Sequence, residues 1–184
     1  MILEIRKYGD PVLRAKGKAI DEITDDVKRL AADMLDTMRE ANGVGLAAQQ
    51  IGEPVQMTVI DVAGIEDRPS GMYIEGQEVK LEDHMPLVLI NPELKASKDK
   101  ETGNEGCLSF PELTAEITRP AGVRCKARLL NGKEIEFDAS GLLARALQHE
   151  VDHLHGILFI DRMSSASKAS LAGKLKRLQK EVRK

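Results

Sequence analysis

The stretch "SGLLARALQHEVDHLHG", residues 140–156, has the apolar spacing of a helix that buries one face. Ser140 or Asp138 is expected to cap the start of this helix, and Gly156 is the expected stop. We expect the other elements of the chain to be arranged around it. The sequence around this helix also decides what chemistry the fold can support.

Two histidines in this helix have the spacing of a metal site. His149 and His153 lie four positions apart, so each can offer an imidazole nitrogen to one ion. Glu150 lies one residue further round, where it can act as a general base on a water molecule without ligating the ion. The alternative is that a histidine pair in so charged a helix is solvated surface.

A catalytic ion needs a third protein ligand and an open coordination position. Metzincin-type proteases place a third histidine where this chain has Phe159. Thermolysin-like proteases use a glutamate well downstream as the third ligand, but the only glutamate after His153 is Glu181, in the basic C-terminal segment. Cys107 in "NEGCLSFPE" is a better candidate, because it lies in a glycine-flanked segment where a loop can present its sulfur. A lone cysteine is more often an inert core residue, but a histidine pair without a third ligand favours Cys107.

The remaining pattern predicts an α+β fold. Residues 24–43 read as an amphipathic helix with Thr24 as its cap, and the Asn131-Gly132 pair predicts a hairpin on which Cys125 faces inward. Compact apolar runs at 55–62 and 85–92 predict strands, and the polar stretch 63–86 between them predicts a long surface loop. Since strands cluster rather than alternate with helices, we expect antiparallel strands around the central helix, with one helix N-terminal and one C-terminal to it.

Composition indicates one domain with an uneven distribution of charge. The chain has 184 residues, of which 42% are hydrophobic and 31% charged, and its two cysteines cannot form a disulfide framework. No apolar run is long enough to span a membrane and the first residues do not resemble a signal peptide, so we expect a cytoplasmic protein. Residues 162–184 carry eight Lys/Arg and one Glu, which predicts an anionic partner for that segment.

Three separated motifs resemble those of the peptide deformylases: "GVGLAAQQ" at 43–50, "EGCLS" at 105–109 and "HEVDH" at 149–153. Each motif alone is modest, but their order and spacing together are specific, and the similarity extends over about residues 1–163. The resemblance implies a hydrolase that removes the formyl group from the N-terminal formyl-methionine of newly made polypeptides and releases formate. It also implies one Fe²⁺ per chain, replaceable by Zn²⁺, Ni²⁺ or Co²⁺, on Cys107, His149 and His153.

The same resemblance assigns catalytic roles. Glu150 would take a proton from the attacking water and later give it to the leaving amine. The side-chain amide of Gln50 and the backbone N–H of Leu108 would stabilise the developing oxyanion.

The substrate site is expected along the first motif and on the central helix. Gly43 and Gly45 permit close backbone approach, so a peptide can pair there as an added strand. The alternative is a helix C-cap at Gly43 followed by a simple turn, and both can hold, because the cap would end the first helix where the substrate must approach. Val44, Leu142 and Ala146 are expected to line the pocket for the methionine side chain. Arg145 is charged, and we place it outside that pocket.

Residues 1–163 are thus the expected catalytic domain, and 164–184 an amphipathic basic helix that is part of the same domain or a tail. Its apolar stripe is Leu171, Leu175, Leu178 and Val182, and its basic face includes Lys184. Contact of this helix with ribosomal RNA competes with a solvated terminal helix. Two other functions stay open at this stage: an HExxH metalloprotease, and a ribosome-associated module with a structural metal site.

Overall fold

A computed structural model describes residues 1–183, and Lys184 lies outside the described residues. The described part contains three α-helices and nine β-strands, joined by short 3-10 helices. In chain order the elements are α1 (Asp25–Glu40), β1 (Gly45–Ala47), β2 (Met57–Ile60), β3 (Ser70–Ile74), β4 (Gln77–Glu78), β5 (Leu87–Ala96), β6 (Lys100–Cys107), β7 (Phe110–Pro120), β8 (Gly122–Arg128), β9 (Glu134–Ser140), α2 (Gly141–Leu154) and α3 (Ser165–Val182).

The strands form two antiparallel sheets, which confirms the predicted α+β class. Seven strands follow the order β1-β2-β5-β8-β9-β3-β4, and β6 pairs with β7 in a separate two-stranded ribbon. β1 therefore lies at an edge of the larger sheet. The predicted hairpin at Asn131-Gly132 joins β8 to β9, with Cys125 buried as expected.

Helix α2 is central, and the sequence around it explains its bounds. It begins directly after β9, with Ser140 at the N-cap position although its side chain makes no capping hydrogen bond, and it ends before Gly156, whose φ of 74° only glycine adopts easily. At Gly141 a side chain would collide with the carbonyl of Pro69, so a glycine is required where strand passes into helix. Eleven of the fourteen residues of α2 are buried, which ties the helix tightly to its surroundings.

Three apolar clusters surround α2. Leu142, Leu143 and Leu147 of the helix pack with strand residues such as Phe137 and Leu89 in the first cluster. Helix α1, capped by Thr24 as predicted, buries Ala31, Met34 and Met38 in the second. The third contains Phe110, Phe159 and residues of α3.

Helix α3 packs against the body of the protein through part of its predicted stripe. Leu175 is buried, and Leu171 and Leu178 are half-buried against the third cluster. Val182, the last residue of the helix, is 36% exposed, so this end of the stripe does not pack against the body. None of the helices in residues 1–183 combines the length and apolar character that crossing a bilayer requires.

The prediction of a surface loop over 63–86 was wrong for its central part. Strands β3 and β4 form a hairpin there, and β3 pairs with β9. Met72 of β3 is fully buried. The few apolar residues at 72–74 were the available indication of a strand, and the surrounding glycines and charges concealed it.

Candidate metal centre

A cysteine at the end of β6 and two histidines of α2 lie close together. His149 and His153 lie one turn apart on the helix, and Cys107 is the last residue of β6. Their ligand atoms all lie within 4.8 Å of one another, and the Cys107 Sγ is 3.4 Å from the His153 Nε2. The structure thus brings together the three residues proposed as ligands.

Cys107 is presented by a strand end and not by the expected loop. The pairing of β6 with β7 is regular up to Gly106 and shifts register between Gly106 and Cys107. The chain then turns through Leu108 and Ser109 into β7.

The separation of one donor pair suits a tetrahedral ion. An ion about 2.3 Å from a sulfur and about 2.1 Å from a nitrogen places those two atoms roughly 3.6 Å apart. The observed separation of 3.4 Å between Cys107 and His153 is close to that value. Borderline-soft divalent ions such as Fe²⁺ and Zn²⁺ accept one sulfur and two imidazole nitrogens as ligands.

The charges around His149 also favour a cation in this place. Its Nδ1 lies 3.0 Å from the Oε1 of Glu105, which leaves the other ring nitrogen for the cluster. Burial disfavours the charged imidazole, but contacts with Cys107 and Glu105 outweigh it and raise the pKa of His149 well above its usual value. The site thus attracts positive charge, which an ion would provide in place of the proton.

His153 is the complementary ligand, because its surroundings keep it neutral. Burial, and the neighbouring charges of His149 and Arg119, lower the pKa of His153 well below its usual value. A neutral imidazole is the form that ligates a metal.

Glu150 lies beside the cluster with one carboxylate oxygen unused. It is buried, and its Oε2 has no hydrogen-bond partner among the described residues. Burial, opposed only in part by His149 and Arg119, raises the pKa of Glu150 to about 7. A carboxyl group with such a pKa can both accept and donate a proton near neutral pH.

Gly45 is what allows Glu150 to sit there. A Cβ on residue 45 would lie 2.7 Å from the Oε1 of Glu150, closer than such atoms approach. Gly45 of the first motif is therefore explained by its contact with Glu150 of the third motif.

Gln50 is oriented by its neighbours. The backbone N–H of Ala47 donates to its Oε1 at 2.9 Å, so the amide nitrogen is directed toward Ser109 and Cys107. The Nε2 donates to the Ser109 Oγ at 3.1 Å and lies 3.5 Å from the Cys107 Sγ. A fixed N–H donor therefore faces the cluster.

A buried ionic network lies behind the histidines. Glu105 accepts two hydrogen bonds from Arg119, at 2.6 and 2.9 Å, and Arg119 also donates to Asp152 at 2.9 Å. Burial raises the pKa of Glu105, but hydrogen bonds from His149 and Arg119 outweigh it and leave that pKa well below the usual value. Glu105 is thus a fixed anion, and Asp152 is paired rather than solvated.

The cluster opens into a cleft of about 480 Å³. The residues predicted to bind substrate all line it: Gly43, Val44, Gly45, Leu142 and Ala146. Gln50, Leu108 and Glu150 line it as well. Arg145 also lines the cleft, and its absence from the pocket for the methionine side chain stays a prediction.

Sequence reasoning missed the role of Glu105 and the contacts of Arg145. Glu105 was quoted only as part of a motif, although a glutamate two residues before a candidate ligand was a usable indication. Arg145 contacts Glu105 at 2.7 Å, and nothing local in the sequence indicates this. His155 is exposed and His84 half-buried, and neither belongs to the cluster.

Comparison with known proteins places these observations in a family. The model of the family described as "Polypeptide deformylase" matches residues 2–169. A peptide deformylase of Methylacidiphilum infernorum is 46% identical over 180 residues, covering 98% of this chain and 94% of the relative.

Solved structures agree with the sequence match. A peptide deformylase from Ehrlichia chaffeensis has a TM-score of 0.84 at 32% identity and covers 98% of both chains. Arabidopsis thaliana peptide deformylase 1B in complex with an inhibitor has a TM-score of 0.83 at 40% identity, covering 97% of this chain and 91% of its own.

Proposed function

The chain belongs to the polypeptide deformylase family, and we propose from this premise which of its residues perform the family's reaction. It is a metal-dependent hydrolase that removes the formyl group from the N-terminal formyl-methionine of newly made polypeptides. Water and the formylated peptide give formate and a free amine. The observation that carries the proposed roles is the convergence of Cys107, His149 and His153 beside Glu150.

Cys107, His149 and His153 would hold one ion, for which Fe²⁺ is proposed, with Zn²⁺, Ni²⁺ or Co²⁺ as replacements. When bound, such an ion makes water more acidic and polarises the formyl carbonyl. Glu105 holds the ring of His149 from behind, as the outer partners of metal-bound histidines commonly do.

Glu150 is the proton carrier. Its unpaired Oε2 accepts a proton from the water that adds to the formyl carbon, and it returns the proton to the amine nitrogen as the carbon–nitrogen bond breaks. A pKa of about 7 suits both transfers.

Gln50 and Leu108 stabilise the oxyanion that develops on the formyl oxygen. Gln50 directs its amide N–H groups toward the cluster at no cost in reorganisation, because Ala47 already holds the other end of the amide. Leu108 follows Cys107 directly and contributes its backbone N–H. One such donor is typically worth about 100- to 1,000-fold in rate.

The peptide binds along β1. Among the described strands β1 pairs only with β2, so its other edge is available to an added strand next to the cluster. Val44, Leu142 and Ala146 form the apolar part of the cleft that accepts the methionine side chain. Gly43 makes room for Leu108, whose Cδ1 would lie 2.8 Å from a Cβ at residue 43.

The other two functions have no comparable support. The metalloprotease and the module with a structural metal site find no support in the family match or among the relatives named above. Among residues 1–183, the cluster of metal-type ligands has three members, as a catalytic ion with an open position requires.

A formate-release assay tests the assignment. Formyl-Met-Ala-Ser should be hydrolysed, while acetyl-Met-Ala-Ser and the free peptide should release nothing that the assay detects. A protein loaded with one equivalent of metal that cleaves an internal peptide bond but releases no formate would refute the proposal.

A contact with the ribosome through α3 is proposed as well. Its apolar side packs against the body, while Lys174, Lys176, Arg177 and Lys180 are exposed on the opposite side. Residues 162–184 carry a formal charge of +7 and the rest of the chain −10, so a polyanionic RNA surface would orient the enzyme. We propose on this packing that α3 belongs to the same domain as residues 1–163.

A further inference from the structure

Arg145 is a buried cation in the wall of the cleft. It lies on α2, one turn before His149, and only 9% of its side chain is exposed. Long charged side chains are rarely buried to this extent unless their donors are used. The hydrogen bonds of Arg145 therefore indicate its role.

The guanidinium group contacts both strands of the β6–β7 ribbon. Its Nη1 donates to the carbonyl of Ile117 on β7 at 2.8 Å, and its Nη2 donates to the carbonyl of Glu101 on β6 at 2.9 Å. The Nη1 also lies 2.7 Å from the Oε2 of Glu105. One side chain of α2 thus holds two strands and a buried carboxylate.

The ribbon has a recess for this group. A Cβ on Gly103 would lie 3.1 Å from the Cζ and from the Nε of Arg145. A side chain at residue 103 would therefore require the guanidinium to shift by a few tenths of an ångström. The φ of Gly103 is not in the left-handed region, so the glycine is explained by this contact and not by a strained turn.

This contact bears on the candidate metal site because the three candidate ligands lie on two different elements. Cys107 lies on the ribbon, which is a separate sheet, while His149 and His153 lie on α2. The distance from the sulfur to the ring nitrogens therefore depends on how the ribbon docks on the helix. Glu105, two residues before Cys107, accepts from Arg145 and also contacts the Nδ1 of His149.

We propose that Arg145 is a positioning residue of the metal centre, which sets the distance between Cys107 and the two histidines by fixing the ribbon against α2. The proposal rests on the proposed function only in taking these three residues as the ligands. Arg119 makes the reciprocal link, from the ribbon to Asp152 on α2. Because Arg119 and His149 still compensate Glu105 when Arg145 is removed, the main loss is of geometry and not of charge balance.

Variants at two positions separate this role from general stability. Arg145→Met removes every donor, Arg145→Lys keeps the charge but cannot bind both carbonyls, and Gly103→Ala displaces the guanidinium without removing it. Arg124→Met is the matched control, because Arg124 makes a bidentate pair with Asp138 on the surface, away from the cleft. Dissociation constants for Zn²⁺ are measured by competition with a chelator, and the Co²⁺-loaded proteins are compared by their visible absorption spectra.

Arg145→Met should weaken Zn²⁺ binding on the order of 10- to 100-fold, as for other residues that orient ligands, and should alter the Co²⁺ spectrum. Arg145→Lys should recover part of the affinity, and Gly103→Ala should shift both measurements in the same direction as Arg145→Met. Arg124→Met should change neither, even if its melting temperature falls.

Wild-type affinity and spectrum in a folded Arg145→Met protein would overturn the proposal and leave Arg145 a role in stability alone. If Arg145→Met does not fold, Gly103→Ala decides, since unchanged metal binding in that variant contradicts the proposal equally. The measurements need no turnover. Failure of the wild type to release formate would therefore refute the proposed function without deciding the role of Arg145.

Discussion

At the residue scale, the position of the Glu150 carboxylate depends on Gly45. The buried Oε2 of Glu150 has no hydrogen-bond partner among residues 1–183, and Gly45 leaves space for the carboxylate that carries it. Both were present in the sequence, but only the folded chain brings the first motif against the third. The contact makes the position of the carboxylate testable without altering the carboxylate itself.

Gly45→Ala should lower kcat by about 10- to 100-fold, because an added Cβ displaces the Glu150 carboxylate and misplacement near 1 Å has effects of this size. Metal content should stay at the wild-type value, since no ligand is touched. Gly173→Ala on the exposed side of α3 is the matched control, as its Cβ meets nothing within 4 Å. Equal kcat in Gly45→Ala and the control would contradict the proposed role of the contact.

The two cysteines should differ in reactivity. Burial raises the pKa of the Cys125 thiol to about 12, so almost no thiolate forms at pH 8, whereas Cys107 borders the cleft. Iodoacetamide should label only Cys107 in metal-free protein, neither residue in metal-loaded protein, and both in urea. Mass spectrometry of the labelled peptides decides, and labelling of Cys107 at an equal rate with and without metal would count against its being a ligand.

At the scale of elements, the helices were more predictable from the sequence than the strands. Helix α2 was identified from local periodicity and its glycine stop, and the pairing of His149 with His153 follows from that periodicity alone. Strand β3 was missed because its burial depends on β9, more than sixty residues further along the chain. Glu105 was missed for the same reason, since its contact with His149 spans 44 positions.

The edge of β1 permits a prediction about substrates. In an added strand, successive backbone N–H groups point alternately toward and away from the enzyme. N-methylation at successive positions after the formyl-methionine should therefore reduce kcat/KM alternately, with losses of about tenfold at every second position. A uniform or steadily declining effect along the peptide would show that the substrate is not bound as a strand.

On the scale of the whole molecule, α3 both closes the third apolar cluster and bears the basic surface. Leu175 packs into the cluster that contains Phe110 and Phe159, and the ring of Phe159 lies 5.8 Å from that of His149. Removing the whole helix would therefore expose apolar surface close to His149. Charge reversal tests the basic surface without removing that packing.

Reversal of Lys174, Lys176, Arg177 and Lys180 to glutamate should reduce co-sedimentation with ribosomes at low salt on the order of tenfold or more. Hydrolysis of a short formyl-Met peptide should be unchanged, because these side chains are exposed on α3 and do not line the cleft. The matched control reverses four exposed lysines elsewhere: Lys95, Lys98, Lys100 and Lys126. Equal loss in both variants would mean that overall charge, and not α3, governs the association.

The most direct test of the central claim is to measure metal content and formate release together in the wild type and in Glu150→Gln. Because Glu150 is assigned proton transfer and not ligation, the variant should keep one ion per chain and lose about 100- to 10,000-fold in kcat. Loss of the ion together with activity would make Glu150 a ligand, and retention of wild-type kcat would remove it from the reaction. Either result would contradict the mechanism proposed for this cleft.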